Sequence, residues 1–175
     1  MRSPLRLSPP DMTYRVVVVC SGNICRSPIA EAVLRGAFDE AGLVVDVSSA
    51  GTGGWHAGDP ADPRAMRVLE AHGYELVHSA RQFDPRWFDD VDLVLALDAE
   101  NLADLRRLAQ RHGLAHAHVR ALRSFDPAVS DLPEMSAELD VPDPYYGDDE
   151  GFEVVLQMIE AAAPGVVDYA RIDGF

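Results

Sequence analysis

The 175-residue chain contains no lysine. Its fifteen basic side chains are all arginine, set against twenty-nine carboxylates for a formal charge of −14. That balance argues against a nucleic-acid partner, which needs a basic face. It also means that an oxyanion site here must be built from arginine or backbone amides. Cysteine is almost missing as well: Cys20 and Cys25, five apart, make no disulfide framework. No apolar run reaches the ~18 residues of a membrane span, so no membrane partner is expected. The first twelve residues carry Pro4, Pro9 and Pro10 and no apolar segment of a secretory signal. A reducing cytoplasm is therefore the expected compartment. Residues 1–13 read as a disordered tail, with Met12 as a candidate true start, and residues 14–175 as one domain.

The rest of the chain is organised around residues 20–27, Cys20-Ser21-Gly22-Asn23-Ile24-Cys25-Arg26-Ser27. Before them, Val16-Val17-Val18-Val19 reads as a buried strand. After them, Ser27-Pro28 reads as a helix start with Ser27 as N-cap. A strand, an eight-residue loop and a helix place a cysteine at one end of the loop and an arginine near the other. Gly22 lets the backbone curl and Asn23 tolerates the left-handed conformation. A loop so curled aims successive N–H groups inward as an anion nest, and Arg26 adds a planar fork for two phosphate oxygens. Helix N-termini and guanidinium groups favour thiolate, so a cysteine here is a candidate nucleophile towards phosphorus.

Periodicity along the remainder predicts a helix over about 28–41, a second strand over 43–47 and a glycine-rich loop over 49–58. A helix over about 62–72, a strand over 91–97, a helix over 99–112 and a short strand over 118–122 follow. Residues 124–149 are rich in proline and aspartate without periodicity, which marks an ordered or functional loop. A helix over 152–162 comes next, then a separate helical turn over 164–170. Alternating strands and helices predict an α/β fold: a single three-layer domain with a four-stranded parallel sheet flanked by helices. Ligands of such sheets bind beyond the carboxyl ends of the strands, where Cys20 falls. His112, His116 and His118 do not match a zinc spacing, and no metal or other cofactor is expected.

A leaving oxygen on phosphorus calls for a proton donor, and a carboxylic acid can supply one. Asp-Pro occurs at Asp59, Asp62, Asp84, Asp126 and Asp143, and as a common turn signal it does not choose among them. Residues 20–28, taken with Asp143-Pro144-Tyr145-Tyr146-Gly147-Asp148, resemble the low-molecular-weight protein tyrosine phosphatases of actinobacterial type. The likeness extends over about 14–165 and includes Ser49-Ala50-Gly51-Thr52, His78-Ser79-Ala80-Arg81-Gln82 and Leu97-Asp98-Ala99-Glu100-Asn101-Leu102. It implies a phosphatase loop of Ser21, Gly22, Asn23, Ile24, Cys25 and Ser27 around Cys20 and Arg26, with Asp143 as the general acid. Trp55, Tyr145 and Tyr146 become the substrate walls, able to stack on a phosphotyrosine ring at a depth phosphoserine does not span. Asn23, Ser27, Ser49 and His78 become a network holding the loop in shape, with Glu31 a charge partner for His78. By the same resemblance Cys25 can close a reversible disulfide with the nucleophile, and Tyr145 and Tyr146 are targets for a regulatory tyrosine kinase.

The implied function is hydrolysis of phosphotyrosine on protein substrates through a cysteinyl-phosphate. Three alternatives share the loop. A thioredoxin-coupled arsenate reductase needs further cysteines downstream, and none follows Cys25. A protein arginine phosphatase has threonine where this chain has Ile24, whose apolar side chain favours an aryl phosphate. A phosphate-binding module that does not turn over would need Arg26 and the amides but not Asp143.

Overall fold

β1 (Tyr14–Cys20) is the hub of the sheet: β2 (Val45–Gly51) pairs along one edge and β3 (Leu93–Ala96) along the other, and β4 (Val119–Ala121) adds outside β3. All pairings are parallel. The computed structural model describes residues 13–175, so the expected tail lies outside the described residues except for Thr13. Because β1 is central and covered on both faces, its apolar residues run without alternation. Val16 and Val18 point into a core shared with α1 (Arg26–Glu40), α2 (Pro63–Ala71) and α4 (Asp149–Gly174). Val17 and Val19 enter the other core, with Phe83, Phe88 and residues Leu102 and Leu105 of α3 (Ala99–Arg111). The result is the expected three-layer α/β domain. The order β2-β1-β3-β4 sends the chain to opposite sides of β1, so a crevice opens beyond its carboxyl end. No helix among the described residues is long and apolar enough to cross a membrane.

Several boundaries depart from the sequence pattern, each for a physical reason. α1 begins at Arg26, and Cys25, not Ser27, is its N-cap; the Ser27 hydroxyl is turned inward to other partners. β2 starts two residues late and runs on through Ser49, Ala50 and Gly51, because its pairing with β1 continues to Cys20↔Gly51. β3 and β4 are shorter than their apolar runs. The two expected C-terminal segments are one 26-residue helix with Pro164 inside it. A proline in a helix interior costs about 3 kcal/mol. Here burial of Ile159, Ala162, Ala163, Val166 and Val167 on either side of it offsets that cost. Gly165 next to it lies where a Cβ would come within 2.2 Å of the Phe125 carbonyl oxygen.

Candidate active site

Residues 21–25 leave β1 and curl into α1. Asn23 has φ +59°, the one non-glycine residue in the left-handed region among the described residues. Asparagine is among the few residues that adopt it at small cost. Its side chain, fully buried, holds the turn at three points. Nδ2 donates to Ser27 Oγ (2.8 Å) and Ser49 Oγ (3.0 Å), and Oδ1 accepts from the Arg81 N–H (3.0 Å). The Asn23 carbonyl oxygen lies 2.7 Å from His78 Nε2. From β2, Gly51 fits beneath the loop because a Cβ there would stand 2.7 Å from the Ser21 carbonyl oxygen.

This network has a direction. Ser49 donates its proton to Glu31 Oε1 (2.7 Å), so its oxygen is left to accept from Asn23. Ser27 accepts from Asn23 too, which leaves its own proton to the Cys20 sulfur 2.9 Å away or the Ala50 carbonyl oxygen 3.4 Å away. Glu31 therefore reaches the loop through Ser49 rather than by pairing with His78. It also pairs with Arg35 (2.9 Å). The backbone N–H groups of Gly22, Asn23, Ile24 and Cys25 find no protein acceptor among the described residues. Donors left over in this way are suited to an anion.

Arg26 is 3% exposed. Its Nη1 donates to Asp98 Oδ2 (2.6 Å) and the Val141 carbonyl (3.0 Å), and Nη2 reaches Ser21 Oγ (3.4 Å). Burial opposes its charge, but the Cys20 sulfur and the Asp98 carboxylate outweigh that, and its pKa is raised. The Cys25 pKa is raised too, which for a sulfur acid favours the neutral form. Burial, then Asp62, Cys20 and Asp143, lift its thiol to about 12, so it stays protonated at neutral pH.

A pocket of about 300 Å³ opens over the loop, lined by Cys20, Ser21, Gly22, Ile24, Cys25, Arg26, Trp55, His56, Asp143, Tyr145 and Tyr146. Trp55 (68% exposed) and Tyr146 (92%) are rim residues. The Trp55 ring lies on Gly53, where a Cβ would overlap the indole. Tyr145 and Tyr146 pack edge to face with centroids 4.9 Å apart. Asp143 Oδ1 accepts from the Tyr145 N–H (3.1 Å), an Asx turn that orients the carboxyl group. Ser49 and His78 stay behind the loop, in contact with Asn23.

A family model described as low molecular weight phosphotyrosine protein phosphatase matches residues 15–173. The chain belongs to this family. It is 57% identical to a low molecular weight protein-tyrosine-phosphatase of Streptomyces coelicolor over 162 residues, 91% of this chain and 95% of that one. The solved structure of YfkJ from Bacillus subtilis superposes with a TM-score of 0.81 at 35% identity, covering 93% and 98%. DARP, a Drosophila arginine phosphatase, superposes at 0.80 with 27% identity, covering 89% and 97%. The family works through a cysteine nucleophile, and its members act on phosphoproteins.

Four residues of this site were given no role from the sequence, although Asp98 and Asn101 lie in one of the stretches that carry the resemblance. His56 lines the pocket, with Nδ1 3.1 Å from Asp59 Oδ2; its one signal was adjacency to Trp55. Asp98 caps α3 through the Asn101 N–H (2.7 Å) and holds Arg26 with its other oxygen. Asn101 donates to Ser21 Oγ (3.2 Å). Arg64 binds the backbone around Tyr145 from outside the pocket, and nothing in its sequence context marks it.

Proposed function

We propose that the protein hydrolyses phosphotyrosine on protein substrates, with Cys20 as nucleophile, Arg26 and the loop amides as the phosphate clamp and Asp143 as acid and then base. The observation that carries this reading is that one pocket gathers Cys20, Arg26 and Asp143 between Trp55, Tyr145 and Tyr146. The Cys20 sulfur attacks phosphorus as the bond from phosphorus to the tyrosine oxygen breaks, and Asp143 delivers its proton to that oxygen. Water then attacks the cysteinyl-phosphate while Asp143 takes a proton from it. The S–P bond breaks, releasing phosphate and restoring the thiolate held by Ser27 and Arg26. Negative charge spread over the equatorial oxygens in flight meets the amides and guanidinium, already in place before the chemistry.

Ile24 lines the pocket and its side chain brings no polar group to it, which supports an aryl phosphate over the phosphoguanidinium that the Drosophila relative's name implies. Tyr146, the most exposed wall residue, is the one a tyrosine kinase would reach. Two buried free thiols suit a reducing cytoplasm. The experiment is turnover of p-nitrophenyl phosphate, a phosphotyrosine peptide and a phosphoarginine peptide by pure protein. Wild type should hydrolyse the first two, and Cys20→Ser should lose turnover while still binding phosphate. Tight phosphotyrosine binding without turnover would make the protein a binding module, and preference for the phosphoarginine peptide would make it an arginine phosphatase.

A further inference from the structure

The acid loop and the phosphate loop come from chain segments more than a hundred residues apart. Two arginines join them: Arg26, which donates to the Val141 carbonyl at the start of the acid segment (3.0 Å), and Arg64 in the first turn of α2, which reaches beyond Asp143. The Asp62 N–H donates to the Ile24 carbonyl of the phosphate loop (2.8 Å). The Asp62 carboxylate caps α2 through the Arg64 N–H (2.8 Å) and takes Arg64 Nε (3.1 Å) and Nη2 (2.9 Å). The remaining donors of the same guanidinium cross to the acid loop: Nη2 to the Tyr145 carbonyl (2.9 Å) and Nη1 to the Gly147 carbonyl (3.0 Å). Its flat face lies 4.6 Å from the Phe152 ring centroid of α4 and 5.7 Å from that of Tyr145.

We propose that Arg64 is a positioning residue which, through Asp62, fixes the height of the Asp143 loop above the Cys20 loop. This rests on the reading of Asp143 as the acid. The planar fork is suited to the task. Its three nitrogens serve the acid loop and the Asp62 cap at once, the cap residue's own N–H meets the phosphate loop, and stacking on Phe152 fixes the plane in which they point. Arg64 meets the carbonyls on either side of Tyr146, and the Tyr145 N–H in turn holds Asp143 Oδ1. A shift of the loop therefore moves the carboxyl group with it. An exposed ion pair alone is worth little, and Arg67 with Asp149, both well exposed, is such a pair. Arg64 differs in binding backbone, which ties it to the path of the chain rather than to another mobile side chain.

The test is the leaving-group dependence of kcat/KM, which reports the step that forms the cysteinyl-phosphate. Arg64→Ala should lower kcat/KM for phenyl phosphate by about tenfold or more, as a misplaced proton donor would. It should change kcat/KM for p-nitrophenyl phosphate, whose leaving group needs no proton, by less than about threefold. Tungstate affinity, which reports the phosphate loop, should hold within about twofold. In an Asp143→Asn background the same substitution should add no further loss, because its effect runs through that carboxyl group. Arg64→Lys keeps the charge and the stem and should fall between the two with the same leaving-group trend. It also serves if the alanine variant does not fold. Equal losses on both substrates, an additive double variant, or weakened tungstate binding would each overturn the proposal. A steep leaving-group dependence for Asp143→Asn with a flat one for Arg64→Ala overturns the Arg64 role alone. A flat one for Asp143→Asn overturns the acid assignment, and the Arg64 role with it.

Discussion

Replacing Asn23 by alanine tests whether the loop is held by one buried amide. The side chain is fully buried and makes three hydrogen bonds, to Ser27, Ser49 and the Arg81 N–H. At about 1 kcal/mol net for each, their loss costs roughly 3 kcal/mol. Alanine must then hold φ near +59°, which adds about 1 kcal/mol. The total of about 4 kcal/mol is a large part of the 5–15 kcal/mol typical of a domain. Asn23→Gly loses the same bonds but not the backbone fit, and should be milder by roughly 1 kcal/mol. Urea unfolding measures both, with the slope checked to show that the unfolded reference is unchanged. Losing Asn23 also strips Ser27 of the donor that leaves its proton free for Cys20, so tungstate affinity should fall in both variants. A loss under about 1 kcal/mol for alanine, or a glycine variant worse than alanine, would refute the account of this loop.

Asp62→Asn should destabilise the protein in a pH-dependent way. Burial raises the Asp62 pKa, but hydrogen bonds from the Arg64 side chain and backbone outweigh it and hold the carboxyl below its usual value. A depressed carboxylate contributes stability above its unfolded pKa of about 3.9 and loses it as pH falls through the lower folded value. The gap between wild type and variant in urea midpoint should therefore be widest above about pH 4 and close below it; a constant gap down to pH 2 would contradict the assignment. Iodoacetamide at pH 7 should label Cys20 and spare Cys25, whose thiol is pushed up to about 12 by burial and by Asp62, and rapid labelling of Cys20→Ser would show otherwise. Ile24→Thr should raise the ratio of phosphoarginine to phosphotyrosine turnover, and an unchanged ratio would remove Ile24 from the specificity argument.

The sheet and its helices were legible because they follow from burial. Four consecutive valines flanked by a loop with glycine and asparagine leave few alternatives to a central strand, and the α3 pattern of Leu102, Leu105 and Ala109 is that of a covered helix face. Boundaries were less legible where a polar residue is buried for a reason outside its own segment. Ser49 reads as loop from composition, yet β2 carries it under the phosphate loop to meet Asn23 and Glu31. Ser27 reads as a cap from its position before Pro28, yet its hydroxyl is held between Asn23 and Cys20. Both errors have one source. Local preference assigned a serine to the nearest backbone, while the fold used it in a network whose bonded partners are up to 58 residues apart.

The acid loop lay beyond the reach of pattern altogether, and the way it is held explains why. Residues 124–149 have no periodic apolar face, so nothing in them predicts a path. Leu139 and Val141 anchor them in the core, and Asp140 accepts from the Ala99 N–H at the start of α3; the rest of their path is set by arginines elsewhere that donate to their carbonyls: Arg26 to Val141, Arg123 to Glu138, and Arg64 to Tyr145 and Gly147. Carbonyl acceptors carry no residue identity, so such contacts leave no trace in the loop's own sequence. They do leave one in composition. A guanidinium can serve a carboxylate and a carbonyl at once, as Arg26 does with Asp98 and Val141 and Arg64 does with Asp62 and Tyr145, whereas an ammonium is a compact point charge on a flexible stem. The absence of lysine is thus compatible with more than a substrate site for phosphate. In this chain the same side chain type that is poised for the anion also holds in place the loop carrying the candidate acid.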